Sequence, residues 1–389
     1  MNRALGFIFA VVFIDLLGTG ILIPVIPFLV RQFTPNALPV GLLALTFSAA
    51  QFLASPLLGA ISDRHGRRPV LVLSVFGTGC AYLAFGLAGS LSVMFAARIL
   101  DGITGGNISA AQAYIADVTP AEDRAKNFAL IGVAFGMGFM LGPAIGGLLS
   151  HVSLQAPAFA AAGLAFLNSA FGALFLPESL PHDKRRKEPL RFGELNPLRA
   201  IATATDRSGA RPLLLSLFAM GLAMASLRTN FAVFTAARFG LGPSENGWFF
   251  AFIGLVTILV QGVLIRRIKG VAPRILVIPG LLVMAAGFTS VPLTTAPRAL
   301  FVSVGLIALG SGFASPNLTA LLSATGGASD QGLLLGAAQS AQSLALIVGP
   351  LVAGLAFDHV GFFAPYALGT LFLALAIVVI KTKTRAEPG

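Results

Sequence analysis

The sequence predicts an all-α membrane protein: twelve transmembrane helices in two pseudo-symmetric six-helix bundles, both termini cytoplasmic. Three observations lead there. Of 389 residues, 56% are hydrophobic and the mean hydropathy is +0.88, far more apolar than a soluble domain of this length. Apolar runs of about 20 residues recur along the chain, each long enough to cross a bilayer as a helix. The runs fall six and six on either side of one polar, basic segment.

The first run, 4–30, is too long for a leader peptide and carries Asp15, so it reads as an uncleaved helix. The next five are 40–61, 69–89, 92–116, 126–150 and 157–177, which close an N-terminal bundle over 1–177. Residues 178–211 form a basic, proline-containing cytoplasmic linker that would lie against an anionic leaflet. The C-terminal bundle, 212–389, holds runs at 212–237, 245–267, 273–294, 298–323, 331–357 and 362–381, then a short cytoplasmic tail. With the N-terminus inside, 21 of the 26 Lys and Arg fall in cytoplasmic segments. Only Arg31, Arg238 and Arg298 fall outside, which sets the orientation. The halves repeat: "GPAIGGL" at 142–148 recurs as "GPLVAGL" at 349–355, each in the fifth run of its half. Duplicated six-helix units of this kind build many secondary transporters.

Composition also excludes classes. The net charge of +11 sits in loops on one side, which argues against nucleic-acid binding. A lone Cys80 and four scattered histidines give no disulfide, metal-ligand spacing or nucleophile–base pair. No phosphate-binding loop is visible. Neither an enzyme, a metal site nor a cofactor is expected.

Two carboxylates lie deep in spans, Asp15 and Asp101, each about 15 Å from its helix entry. An ionised acid there is costly unless paired or wetted, whereas a protonated one is tolerated, so both are candidate proton carriers. Arg98 stands three residues before Asp101, on one helical face with Gly105, Ile108 and Gln112. This is either a static buried pair or one that protonation opens. Arg228 has no acid in its own run and could pair with Asp15 or Asp101, or hold an anionic substrate.

Charge also gathers in "GAISDRHGRRP", 59–69, where Asp63, Arg64, Arg67 and Arg68 fall within six residues. Orientation needs only the arginines. Gly59, Gly66 and Asp63 ask for more.

Gly59, Asp63, Arg64, Gly66, Arg67 and Arg68 match the loop 2–3 signature of the major facilitator superfamily, which the chain resembles. Within it, "RILDGITGGNISAAQAYIADVTPAEDRAKNF" (98–128), "GMGFMLGPAIGG" (136–147), "LPES" (176–179) and Asp15 in "DLLGTGILIPVIP" look like the bacterial tetracycline-exporter group. That group's further membrane acids in the third and ninth helices, and a histidine in the eighth, have no counterpart here.

The resemblance implies drug efflux by a proton antiporter in a bacterial inner membrane: a monomer exporting a small lipophilic compound by alternating access, with protons as coupling ion. A specific metabolite or lipid is the alternative substrate, and a non-transporting receptor or scaffold the remote one. It implies proton coupling through Asp15, Asp101 and Arg98. It places Asn107, Gln112, Arg228, Asn230, Phe231, Phe234 and Asn317 at the substrate cavity. It makes Gly138, Gly142, Pro143, Gly146 and Gly147 the antiporter element of the fifth helix. It also implies a cytoplasmic gate in which Arg67 pairs with Asp117 and Asp63 meets the start of the eleventh helix, near Gln331 and Gly332.

Overall fold

The computed structural model describes residues 3–119, 124–185, 199–205, 209–267, 271–326 and 331–384. Among these residues the only regular structure is helix. The chain divides into two compact units, Met1–Phe33 with Thr46–Asn196, and Thr34–Leu45 with Pro197–Gly389.

The first unit opens with α1 (Arg3–Leu22), which stops short of Pro24 and resumes as α2 (Ile26–Arg31) with Pro27 in its first turn. Proline lacks the N–H that would carry the helix on and is at home in a first turn. Then come α3 (Leu38–His65), whose first residues, to Leu45, count with the second unit, and α4 (Arg67–Gly86). The expected fourth span is two helices, α5 (Leu91–Thr104) and α6 (Ile108–Asp117), joined by a tighter 3₁₀ turn at Gly105–Asn107. A Cβ on Gly106 would lie 3.0 Å from the Ser55 amide, so backbone approaches backbone at this break. α7 (Arg124–Leu149) and α8 (Ala156–Phe175) complete the unit, with α9 (Arg199–Thr205) following in the other.

The second unit holds α10 (Ala210–Phe239), α11 (Pro243–Leu259), one π-helical turn (Val260–Leu264) running into α12 (Ile265–Arg267), α13 (Pro273–Leu293), α14 (Leu300–Ser323), α15 (Gln331–His359) and α16 (Ala364–Thr384). Helix ends follow local chemistry. Gly240, at φ +67, ends α10, and the Glu245 carboxylate accepts the Gly242 N–H at the start of α11.

Among the described residues, nine helical segments are long and apolar enough to cross a membrane. The other three expected spans differ for visible reasons. The fourth is broken at Gly105 and carries Arg98, Asp101 and Asp117. The fifth has its described apolar stretch at Val133–Leu149, and the eighth changes helical pitch at Val260.

Each unit uses the same pairings. In the first, α1 packs on α7 and α8, and α4 on α8. In the second, α10 packs on α15 and α16, and α13 on α16. The repeated Gly-Pro element therefore lies on the helix that pairs with the first helix of each half. A Cβ on Gly142 would sit 2.6 Å from the Gly20 Cα, and one on Gly138 3.0 Å from Leu16. In the second unit a Cβ on Gly221 would sit 2.6 Å from the Ala345 Cβ. These are small-residue seams of the kind that bring membrane helices close.

Candidate functional site

The glycine seam of α7 fixes α1, and α1 carries Asp15. The break at Gly105–Asn107 turns Asn107 toward it: Asn107 Nδ2 donates to Asp15 Oδ2 at 3.3 Å. Asn107 is buried, whereas Asp15 keeps part of its surface open. One turn on, Thr19 Oγ1 donates to the Asp15 carbonyl at 3.2 Å and meets the Tyr82 hydroxyl at 3.1 Å.

The second acid lies on α5. Arg98 Nη1 and Asp101 Oδ2 are 3.0 Å apart, with side chains 8% and 4% exposed. The Arg98 guanidinium lies 4.7 Å from the Phe85 ring centre and 5.6 Å from that of Phe47, both electron-rich faces. Its Nε and Nη2 are buried and make no hydrogen bond among the described residues. The structure thus sets the three residues expected to handle protons in two groups close enough to feel one another's charge, Asp15 with Asn107, Thr19 and Tyr82, and Arg98–Asp101 with Phe85 and Phe47. No sequence spacing relates Asn107 to Asp15, 92 residues away; only the fold does.

The expected cavity residues are placed unequally. Gln112, on α6, is exposed. Arg228 is exposed in the middle of α10 while Leu227, Thr229 and Asn230 beside it are buried. Asn317 spends its amide on its own helix, donating to the Phe313 carbonyl at 2.7 Å. Asn230 is wholly buried, and neither of its side-chain polar atoms finds a hydrogen-bond partner among the described residues. Phe231 and Phe234 are fully buried among rings of their own unit. Phe231 meets Phe249 and Phe250 edge-on, and Phe234 meets Phe239, Phe362 and Tyr366. They pack as core aromatics.

In the Gly-Pro element of α7, Gly138, Gly142 and Gly146 face α1, and Pro143 and Gly147 are buried beside them. The element is the surface on which the helix of Asp15 rests.

The loop 2–3 residues build a polar knot at one end of the first unit. Gly66 adopts φ +106, a backbone that favours glycine. Arg67 is buried. It pairs with Asp63, its Nε bonds Asp117 Oδ2 at 3.1 Å, and its Nη1 donates to Ser62 Oγ at 2.7 Å. The Arg67–Asp117 pair stands as expected. Asp63 has Arg67 as its partner inside this unit; its expected meeting with the start of the eleventh helix, near Gln331 and Gly332, lies outside what is described. Gly59 lies against Ser109 of α6, and Arg64 is exposed. Glu178, from "LPES", joins them, a contact that no spacing in the sequence indicates. Its Oε1 accepts the N–H groups of Arg67, Ser179 and Leu180 at 2.9, 3.0 and 3.1 Å, capping α4 from 111 residues away. Ser179 Oγ donates to Asp117 Oδ2 at 3.0 Å.

Residues 8–345 match the family model for the Major Facilitator Superfamily. The chain belongs to that superfamily. It is 35% identical to the class C tetracycline resistance protein of Escherichia coli, over 90% of this chain and 89% of that one. It is 32% identical to Major facilitator superfamily domain-containing protein 10 of Bos taurus, over 88% of this chain and 78% of that one. Among solved structures it is similar to the human organic anion transporter MFSD10 (TETRAN), at 27% identity and a TM-score of 0.75, covering 97% of this chain and 99% of that one. Membership of this superfamily, with the apolar helices, makes the chain an integral membrane transporter. Its relatives are transporters rather than enzymes.

Proposed function

We propose that the chain is a proton-driven exporter of a small lipophilic compound, with twelve spans, alternating access and no cofactor but protons. Its place would be a bacterial cytoplasmic membrane, both termini inside, as a monomer. The observation that carries this reading is the Asp15–Asn107 contact beside the buried Arg98–Asp101 pair. Asp15 is bonded yet partly open, so it can gain and lose a proton; ionised, it accepts from Asn107, and protonated, it becomes a donor. Protonation of Asp101 discharges its pair and releases Arg98, whose remaining N–H groups then need another acceptor. The similarity to tetracycline resistance proteins supports export.

A second reading keeps the coupling and changes the substrate. Arg228 is an exposed cation amid buried neighbours, and one solved relative is an organic anion transporter. An anionic compound would then be the cargo.

Uptake of a panel of neutral, cationic and anionic compounds into everted vesicles, with and without a pH gradient, tests both. Gradient-dependent accumulation of neutral lipophilic compounds supports the first reading, and selective accumulation of anions the second. No gradient dependence with any compound rejects proton coupling.

A further inference from the structure

The charged end of α4 carries a feature that export does not use. The helix begins Arg67-Arg68-Pro69, with no acid in its first turn. A helix N-terminus is the positive end of its dipole and favours an anion, and here the Glu178 carboxylate fills that place at the Arg67 N–H, leaving the added charge of Arg68 unmatched by an acid of its own helix. Asp63, Asp117 and the Glu178 cap serve Arg67, leaving Arg68 to bond the Ala173 carbonyl of α8. Beside it is an open cavity of about 360 Å³, lined by Arg68, Pro69, Val72, Ala173, Glu178 and Arg185. Arg185 Nη2 lies 3.8 Å from Glu178 Oε2, too far for a hydrogen bond. Arg185 Nε is buried with no partner among the described residues. Glu178 Oε1 already holds three backbone N–H groups. The cavity therefore has two guanidinium groups against one carboxylate, a net single positive charge with donors to spare.

Its lining residues Pro69, Val72 and Ala173 have exposed apolar neighbours on the same helices. These are Leu73 and Phe76 of α4 and Leu174 of α8, at 68, 51 and 75% exposure. Ser169 Oγ, bonded to the Val72 carbonyl at 3.0 Å, holds the two helices side by side beneath them.

We propose that this cavity binds the phosphodiester headgroup of an anionic phospholipid, with its acyl chains along Leu73, Phe76 and Leu174. A singly charged phosphodiester matches the surplus charge, and guanidinium forks match phosphate oxygens. These apolar neighbours select a lipid over a free phosphate. The proposal needs only that the chain lies in a membrane and is independent of what it exports.

Native mass spectrometry of the whole chain, with phosphatidylglycerol or phosphatidylcholine added in detergent, tests it. Wild type should retain phosphatidylglycerol over phosphatidylcholine. Arg68→Gln and Arg185→Gln should each lower that retention about fivefold, the effect of one surface cation on an anionic lipid. Arg185→Lys should restore part of it. Ala173→Phe keeps every charge but fills the cavity, and should abolish retention; it serves also if an arginine variant does not fold. Equal retention of the two lipids by wild type overturns the proposal, as does undiminished phosphatidylglycerol retention by the Arg68→Gln/Arg185→Gln double variant. Displacement of the lipid by millimolar inorganic phosphate overturns it in favour of a free-anion site.

Discussion

In the first unit, α1 rests on α7 through glycines and presents Asp15; in the second, α10 rests on α15 through the same kind of seam and presents Arg228. The frame is shared but the buried chemistry differs. Behind Asp15 lie Asn107, Thr19, Tyr82 and the Arg98–Asp101 pair. Beside Arg228 in the chain, Asn230 and Phe231 are buried, Phe231 against the rings of Phe249 and Phe250. Hydroxyls, carboxamides and carboxylates can pass or hold a proton, whereas an aromatic cluster contributes burial and shape. On the proposed function, this difference would put proton handling in the first unit and leave the second as a partner in substrate choice.

The sharpest way to break that division is Asp15→Asn. It keeps shape and removes the exchangeable proton, so export against a gradient in proteoliposomes should fall by about 100-fold or more. Downhill counterflow of the same compound should persist. Normal gradient-driven export by this variant would move the proton site out of the first unit.

Next in size are the partners Arg98 and Asp101. Replacing either alone strands a buried charge and should cost about 3–5 kcal/mol. The Arg98→Gln/Asp101→Asn double variant should recover most of the melting temperature. If the pair is only structural, the double variant also recovers transport; if it handles protons, it stays uncoupled. Thermal unfolding and export on all four forms separate the two outcomes.

The shared frame predicts symmetry where the chemistry does not. Gly142→Ala and Gly221→Ala each push a methyl into a neighbouring helix and should each cost about 1–3 kcal/mol. Only Gly142→Ala moves the helix of Asp15, so only it should also weaken the pH dependence of export. Equal effects on coupling would show that the seams, and not the acids, set it.

How much of this was legible beforehand follows the range of each contact. The Arg98–Asp101 pair is three residues apart on one helix, and spacing alone shows it. Gly66 sits among charges where the chain must turn, and its positive φ agrees. The repeated Gly-Pro element predicted equivalent helices and marks equivalent seams. Asn107 to Asp15 and Glu178 to Arg67 are different: each joins segments whose approach depends on helix packing, for which linear order gives no register. The "LPES" run was a signal without a mechanism until the cap on α4 supplied one. The resemblance places Phe231 and Phe234 at the cavity, but which face of a helix they occupy depends on packing, and in the structure both are enclosed by other rings.

Asn230 offers the smallest effect and the finest discrimination. A fully buried carboxamide without hydrogen bonds among the described residues is a liability to stability, so Asn230→Leu, of similar size, should raise stability by about 1 kcal/mol. If Asn230 is only a packing residue, the variant is more stable and transports normally. If its carboxamide is kept for a compound that reaches it during the cycle, the gain in stability comes with weaker substrate binding and an unchanged response to the pH gradient. Asp15→Asn should show the reverse, with coupling lost and binding kept. Equilibrium binding and gradient-driven export on these two variants, one from each unit, then read the division of labour directly. Loss of coupling in Asn230→Leu would erase it, by placing proton handling in both units.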